Sequence, residues 1–207
     1  MTHTLHRRGD RESLLEDFPI LAHVAKGHND ENANERLRKI SEIMMKHSDL
    51  NFGDGVVGNK YTTSIDNILA HLKVGTHTVF KDKESLTSCL KELKEADAGI
   101  SVVVSGCFDV VHECCKEAGI RWHLTEYSLG VHGNTDLLPP EPYLEILTMC
   151  GHAMVAKNHV DHLIRQIKKG NISYEDAGRE LAKPCLCGIF NPLRAAKILR
   201  KMAGNAD

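Results

Sequence analysis

The strongest constraint on this chain is the alternation of short apolar runs with amphipathic segments across its first two thirds. Residues 18–25, 75–80, 100–105 and 120–128 are rich in aliphatic and aromatic side chains and are bounded by polar or glycine-containing turns. Runs of that length read as strands. Between them, apolar residues recur at helical steps: Leu37, Ile40, Ile43 and Met44 in one segment, Leu86, Leu90 and Leu93 in another. Alternating strands and helices favour parallel strands joined by helical crossovers. The expectation is an α/β domain of two or three layers over residues 1–138, built on a four-stranded, mainly parallel sheet. A ferredoxin-like mixed sheet is the alternative. The 120–128 run alternates apolar and polar residues, which suits an edge strand.

Three prolines, Pro139, Pro140 and Pro142, end this pattern. The rest of the chain reads as helical: 143–169 as one helix or two broken at Gly151, then 174–182 capped by Ser173, then a last helix opened by Asn191-Pro192. Residues 139–207 are therefore expected to form an all-helical extension carrying Cys150 and the Cys185-Leu186-Cys187 loop.

Two polar stretches fall outside these elements. Residues 49–63 contain Gly53, Gly55 and Gly58 followed by Lys60, in a spacing that matches neither the P-loop nor the dinucleotide fingerprint. A mobile loop is expected there. The opening 17 residues hold Arg7, Arg8 and Arg11, which either meet an anion or line a solvated arm.

Composition narrows the function classes. Net charge is −2, so no global field draws the chain to nucleic acid or an anionic membrane. No run of about 18 apolar residues would cross a bilayer. The basic start has no apolar stretch behind it, so it does not read as a signal peptide. Seven cysteines, an odd number, point to free thiols in a reducing cytoplasm.

Those cysteines carry most of the chemical signal. Cys185 and Cys187 are one residue apart in a loop between helices and can turn both sulfurs to one ion. Thiolates are natural ligands of zinc and iron–sulfur centres. Cys150 and His152 flank Gly151 at a predicted bend, and either Cys107 or His152 would complete a set of four. Cys107 has a second reading. It follows the Ile100–Ser105 run and opens a helix, whose amides lower a thiol pKa. In a parallel sheet, Lys26 and His28 would share its edge. Ser105 and Arg194 are candidates to hold an anionic ligand, and His132 lies between glycines after the fourth run. Cys89, Cys114 and Cys115 fall on or beside apolar helix faces and read as packing. His159 and His162, three apart, read as a polar helix face with chelating spacing.

These features support three function classes. The first is a metal protein, foremost iron–sulfur and otherwise zinc, using Cys150, Cys185, Cys187 and His152 for redox or cluster chemistry with a redox or small-molecule partner. The second is a metal-free enzyme with Cys107 as nucleophile, His28 or His132 as base and Lys26 binding a small anion. The third is an interaction module that forms a homodimer through the 143–169 helix.

Overall fold

The computed structural model describes residues 3–204; Met1 and Thr2 of the opening segment and residues 205–207 of the helical extension lie outside them. In chain order the elements are α1 (Arg11–Leu14), β1 (Phe18–His23), α2 (Ala33–His47), β2 (Phe52–Asp54), β3 (Gly58–Asn59), α3 (Ile65–His71), β4 (Gly75–Phe80), α4 (Lys83–Ala96), β5 (Ser101–Val104), α5 (Phe108–Glu117), α6 (Glu141–Leu147), α7 (Lys157–Lys168), α8 (Tyr174–Ala182) and α9 (Pro192–Ala203).

The sheet has five strands in the order β3-β2-β4-β1-β5, and every pair is antiparallel. This corrects the expectation of a four-stranded, mainly parallel sheet. Helix α4 does join two strands that run the same way, β4 and β5, but β1 lies between them. Helix α2 likewise joins β1 to β2 with β4 between. Each strand–helix–strand unit is split by a strand of the other, so no parallel neighbours remain. The alternation in sequence records that helices connect strands; it does not record what is inserted between them.

Both faces of the sheet are covered. Phe18, Ile20 and Ala22 of β1 pack with Ile40, Ile43 and Met44 of α2, Leu86 and Leu90 of α4, and Val111 of α5. Leu21, with the opposite parity, packs with Ile146, Val160, Leu181 and Leu199 from the C-terminal helices and with Phe190 of the loop before α9. The near-continuous apolar run in β1 reflects this two-sided burial.

Three local expectations change. Residues 121–127 are exposed and form no strand. The glycine-rich stretch is an ordered hairpin, β2–β3, in which Gly53 faces Asn59 and Asp54 faces Gly58. The 143–169 helix is two helices, α6 and α7, separated by a bend with Ala153 in left-handed backbone. Gly151 sits in that bend against the N-terminal arm, where an added Cβ would lie 1.6 Å from the carbonyl oxygen of His3. The arm is clamped as well. Arg7 is ion-paired to buried Asp17, and its Nη2 donates to the carbonyls of Met149 (3.1 Å) and Ile189 (2.6 Å). Arg8 pairs with Glu141 and Arg11 with Asp109, so the basic residues of the arm are partnered within the chain.

Candidate metal centre

The site is assembled from three segments that meet over the sheet: the arm around His3, the bend 149–152 and the loop 185–188. Each is fixed by identifiable contacts. The loop leaves α8 through Pro184 and lies on the β2–β3 hairpin. Asn59 Nδ2 donates to the carbonyls of Ala182 (3.1 Å), Lys183 (3.1 Å) and Cys185 (2.9 Å). Asn51 Nδ2 holds the carbonyl of Phe190 at 3.0 Å. Gly188, at φ +78°, lies so close to β2 that an added Cβ would be 2.4 Å from the main chain of Phe52 and Gly53. The glycines of the hairpin and the loop thus let two backbones touch, which side chains would prevent. Arg7 ties all three segments together, because Met149 and Ile189 adjoin Cys150 and lie two residues beyond Cys187.

Within this frame Cys185 Sγ lies 3.8 Å from Cys187 Sγ, and Cys187 Sγ lies 3.9 Å from His152 Nδ1. Ligand atoms of His3, His152 and Cys187 all fall within 4.8 Å of one another. The two imidazoles are stacked, with centroids 4.4 Å apart. Cys150 is buried in the same core cluster as Cys185 and Cys187. His3 Nε2 is buried without a hydrogen-bond partner among the described residues. The set can hold a metal ion: one soft sulfur and two imidazoles converge, with further sulfurs alongside.

The electrostatics are those of a thiolate site. The Cys187 thiol is pushed well below its ordinary value by the hydrogen bond from Cys185, helped by His3, by nearby His77 and by the Ile189 amide, against the opposing effect of burial. Cys150 is lowered for the same first reason. Cys185 is raised, because its proton is shared with both flanking sulfurs and it is buried. Two lowered thiols beside a raised one favour negative charge on the sulfurs, which a cation would neutralise.

A second pair of imidazoles adjoins the site. His77 of β4 and His23 of β1 have their Nε2 atoms 2.5 Å apart. Gly75, opposite His23 in the register, makes room for the ring: a Cβ there would be 2.9 Å from His23 Nε2. Burial, and next His77, lowers the His23 pKa to about 4, and burial lowers that of His77. Two neutral rings sharing one N–H account for the contact.

The residues singled out from the sequence are distributed unevenly. Cys150, Cys185, Cys187 and His152 come together. Cys107 is the residue before α5, half-buried. Lys26 and His28 are exposed beyond the far end of β1. Because β1 and β5 are antiparallel, with Ile20 opposite Val104 and His23 opposite Ser101, the ends that carry these residues lie on opposite sides of the sheet. The shared edge of a parallel sheet does not form. His132 is exposed, its Nε2 3.1 Å from the carbonyl of Leu129. Ser105 Oγ is 2.6 Å from Thr4 Oγ1. Arg194 is 1% exposed and bonded to Asp17, Ser13 and the Arg8 carbonyl, so it braces the arm and does not face an anion. His159 and His162 lie on α7, outside the group. Cys89, Cys114 and Cys115 are buried in the opposite core.

Sequence reasoning missed His3, His23 and His77. His77 left a trace: a histidine between threonines in the middle of a strand, where a core position was due. His3 left none, because only the folding of the arm over Gly151 brings it to the site. No family model matches the chain, and neither a curated protein nor a solved structure is significantly similar to it.

Proposed function

We propose that this chain is a metal-binding protein that holds one thiophilic ion, zinc by geometry, through Cys187, Cys185, His152 and His3. The carrying observation is the set of separations. Four tetrahedral ligands at about 2.3 Å for sulfur and about 2.0 Å for nitrogen place two sulfurs about 3.8 Å apart, and sulfur and nitrogen about 3.6 Å apart. The Cys185–Cys187 and Cys187–His152 separations are 3.8 and 3.9 Å, and His3 lies within 4.8 Å of Cys187 and His152; Cys185 stands outside that group and would be drawn in on binding. Cys185 would release its proton on binding. Cys150, buried in the same cluster, would then stand beside the bound pair. Four protein ligands leave no open position for substrate, which favours a closed centre that locks the arm, the bend and the loop together.

An iron–sulfur cluster is the second reading, favoured by the third sulfur, Cys150, beside the pair. A [4Fe–4S] cluster spreads its ligands over different irons, and a [2Fe–2S] cluster needs a second ligand pair set apart from the first; His3, His152 and Cys187 form one close group. The compact set supports a single ion better.

The test is metal and sulfide analysis of anaerobically purified protein, with Cys187→Ser, His152→Ala and Cys150→Ser alongside. One equivalent of zinc in the parent and in Cys150→Ser, lost in Cys187→Ser, supports the reading. Iron with acid-labile sulfide transfers it to the cluster. A parent that binds neither zinc nor iron refutes both.

A further inference from the structure

A surface remote from the thiols points to self-association. From Arg121 to Gly133 the chain is irregular and exposed, apart from half-buried Ser128. Within it Trp122, Leu124, Tyr127, Leu129 and Val131 are each at least 44% exposed. Monomers rarely present so many large apolar groups in a row. Among the described residues, no main-chain N–H from Arg121 to Thr125 or from Tyr127 to Gly133 reaches a main-chain carbonyl. The segment has strand composition but belongs to no strand among the described residues.

An open edge for such a strand is present on the same molecule. β5 is the edge of the sheet, paired on one side with β1 and bordered on the other by no strand among the described residues. Its Val102, Val103 and Val104 are only half-buried. An edge strand of this kind accepts an added strand. The segment 121–131, a second arm, suits the place. Trp122 and Leu124 share one parity, while Tyr127, Leu129 and Val131 share the other, so both faces carry apolar groups. A strand added between two helical layers needs that.

We propose that two copies of this chain exchange these arms, residues 121–131 of each adding as a strand to the open edge of β5 in the other. In one copy the arm is held off its own sheet: Trp122 stacks on His112 of α5 at 4.0 Å, and Ser128 Oγ is 3.0 Å from His6 Nδ1. Among the described residues, the apolar side chains of the segment and the outer edge of β5 are both uncovered by a strand on each chain. Reciprocal exchange covers both about a two-fold axis and stops at two chains. The exchange is independent of the metal centre.

Light scattering coupled to size exclusion, from micromolar to high concentration, tests it together with hydrogen exchange of the arm. The parent is expected to be a dimer whose 121–131 amides exchange slowly and speed up as dilution dissociates it. Leu124→Lys/Tyr127→Lys, at positions a single chain exposes, is expected to halve the mass while leaving the circular dichroism unchanged. Three results overturn the proposal: a parent that stays monomeric throughout, a monomer whose arm is protected, which means the arm pairs in its own chain, or a dimer that survives the double substitution.

Discussion

Asn59 offers the sharpest test of how the cysteine loop is held. Its side chain is fully buried, and its Nδ2 lies within 3.1 Å of three carbonyl oxygens at the end of α8. An amide nitrogen carries two hydrogens, so one of them is shared between two acceptors. Replacing Asn59 with Ala removes those donors: the carbonyls of Ala182 and Cys185 keep their main-chain bonds from Cys185 and Gly188, while the Lys183 carbonyl loses this donor and the Tyr61 N–H loses its acceptor, Asn59 Oδ1. A hydrogen bond contributes about 1 kcal/mol net, and a stranded buried acceptor adds about 1–3 kcal/mol. The expected loss is about 3 kcal/mol. Urea unfolding of the metal-free protein reads it directly, and a competition titration with a zinc chelator reads the accompanying loss of affinity. Asn59→Asp, which keeps the shape but replaces donors with charge, should be at least as damaging. A loss below about 1 kcal/mol with unchanged zinc affinity would refute the view that the hairpin preorganises the loop.

The same structure sets further expected outcomes. Arg7→Met removes the bonds to Met149 and Ile189 while Arg194 still neutralises Asp17, so stability should fall by about 2–3 kcal/mol, less than for an orphaned buried charge; chemical denaturation checks this. The His23 pKa is depressed to about 4 in the folded chain, so protonation favours the unfolded state. Its effect on stability is absent above the ordinary histidine value of about 6.5 and grows as pH falls from there toward 4. His23→Gln should flatten that limb in a series of denaturation curves. Cys107 is half-buried and the other six cysteines are buried, so alkylation of the native protein should modify Cys107 first, by peptide mass mapping.

The elements were more legible in the sequence than their arrangement. β1, β4 and β5, and the helices α2 and α4, announce themselves by apolar runs and helical steps. The antiparallel sheet does not, because the insertion of β1 between β4 and β5 depends on pairings far apart in the chain. The β2–β3 hairpin was hidden for a local reason: Gly53 and Gly58, which look like flexibility, belong to a hairpin whose backbone is pressed by Leu186 and Gly188 at Gly53. The 120–128 run shows the converse, a strand pattern without a strand in one chain. Cys150, Cys185, Cys187 and His152, which the fold places near one another, stood out in the sequence because the cysteines lie beside glycine or proline. His3 and His77 did not, since one depends on the path of the arm and the other on the parity of a buried strand.

The most direct test of the central claim is X-ray absorption at the zinc edge of metal-loaded protein. A first shell of two sulfurs at about 2.3 Å and two imidazole nitrogens at about 2.0 Å is the expected result. A shell of oxygen and nitrogen alone, or one unchanged in Cys185→Ser/Cys187→Ser, would contradict a centre built on this loop.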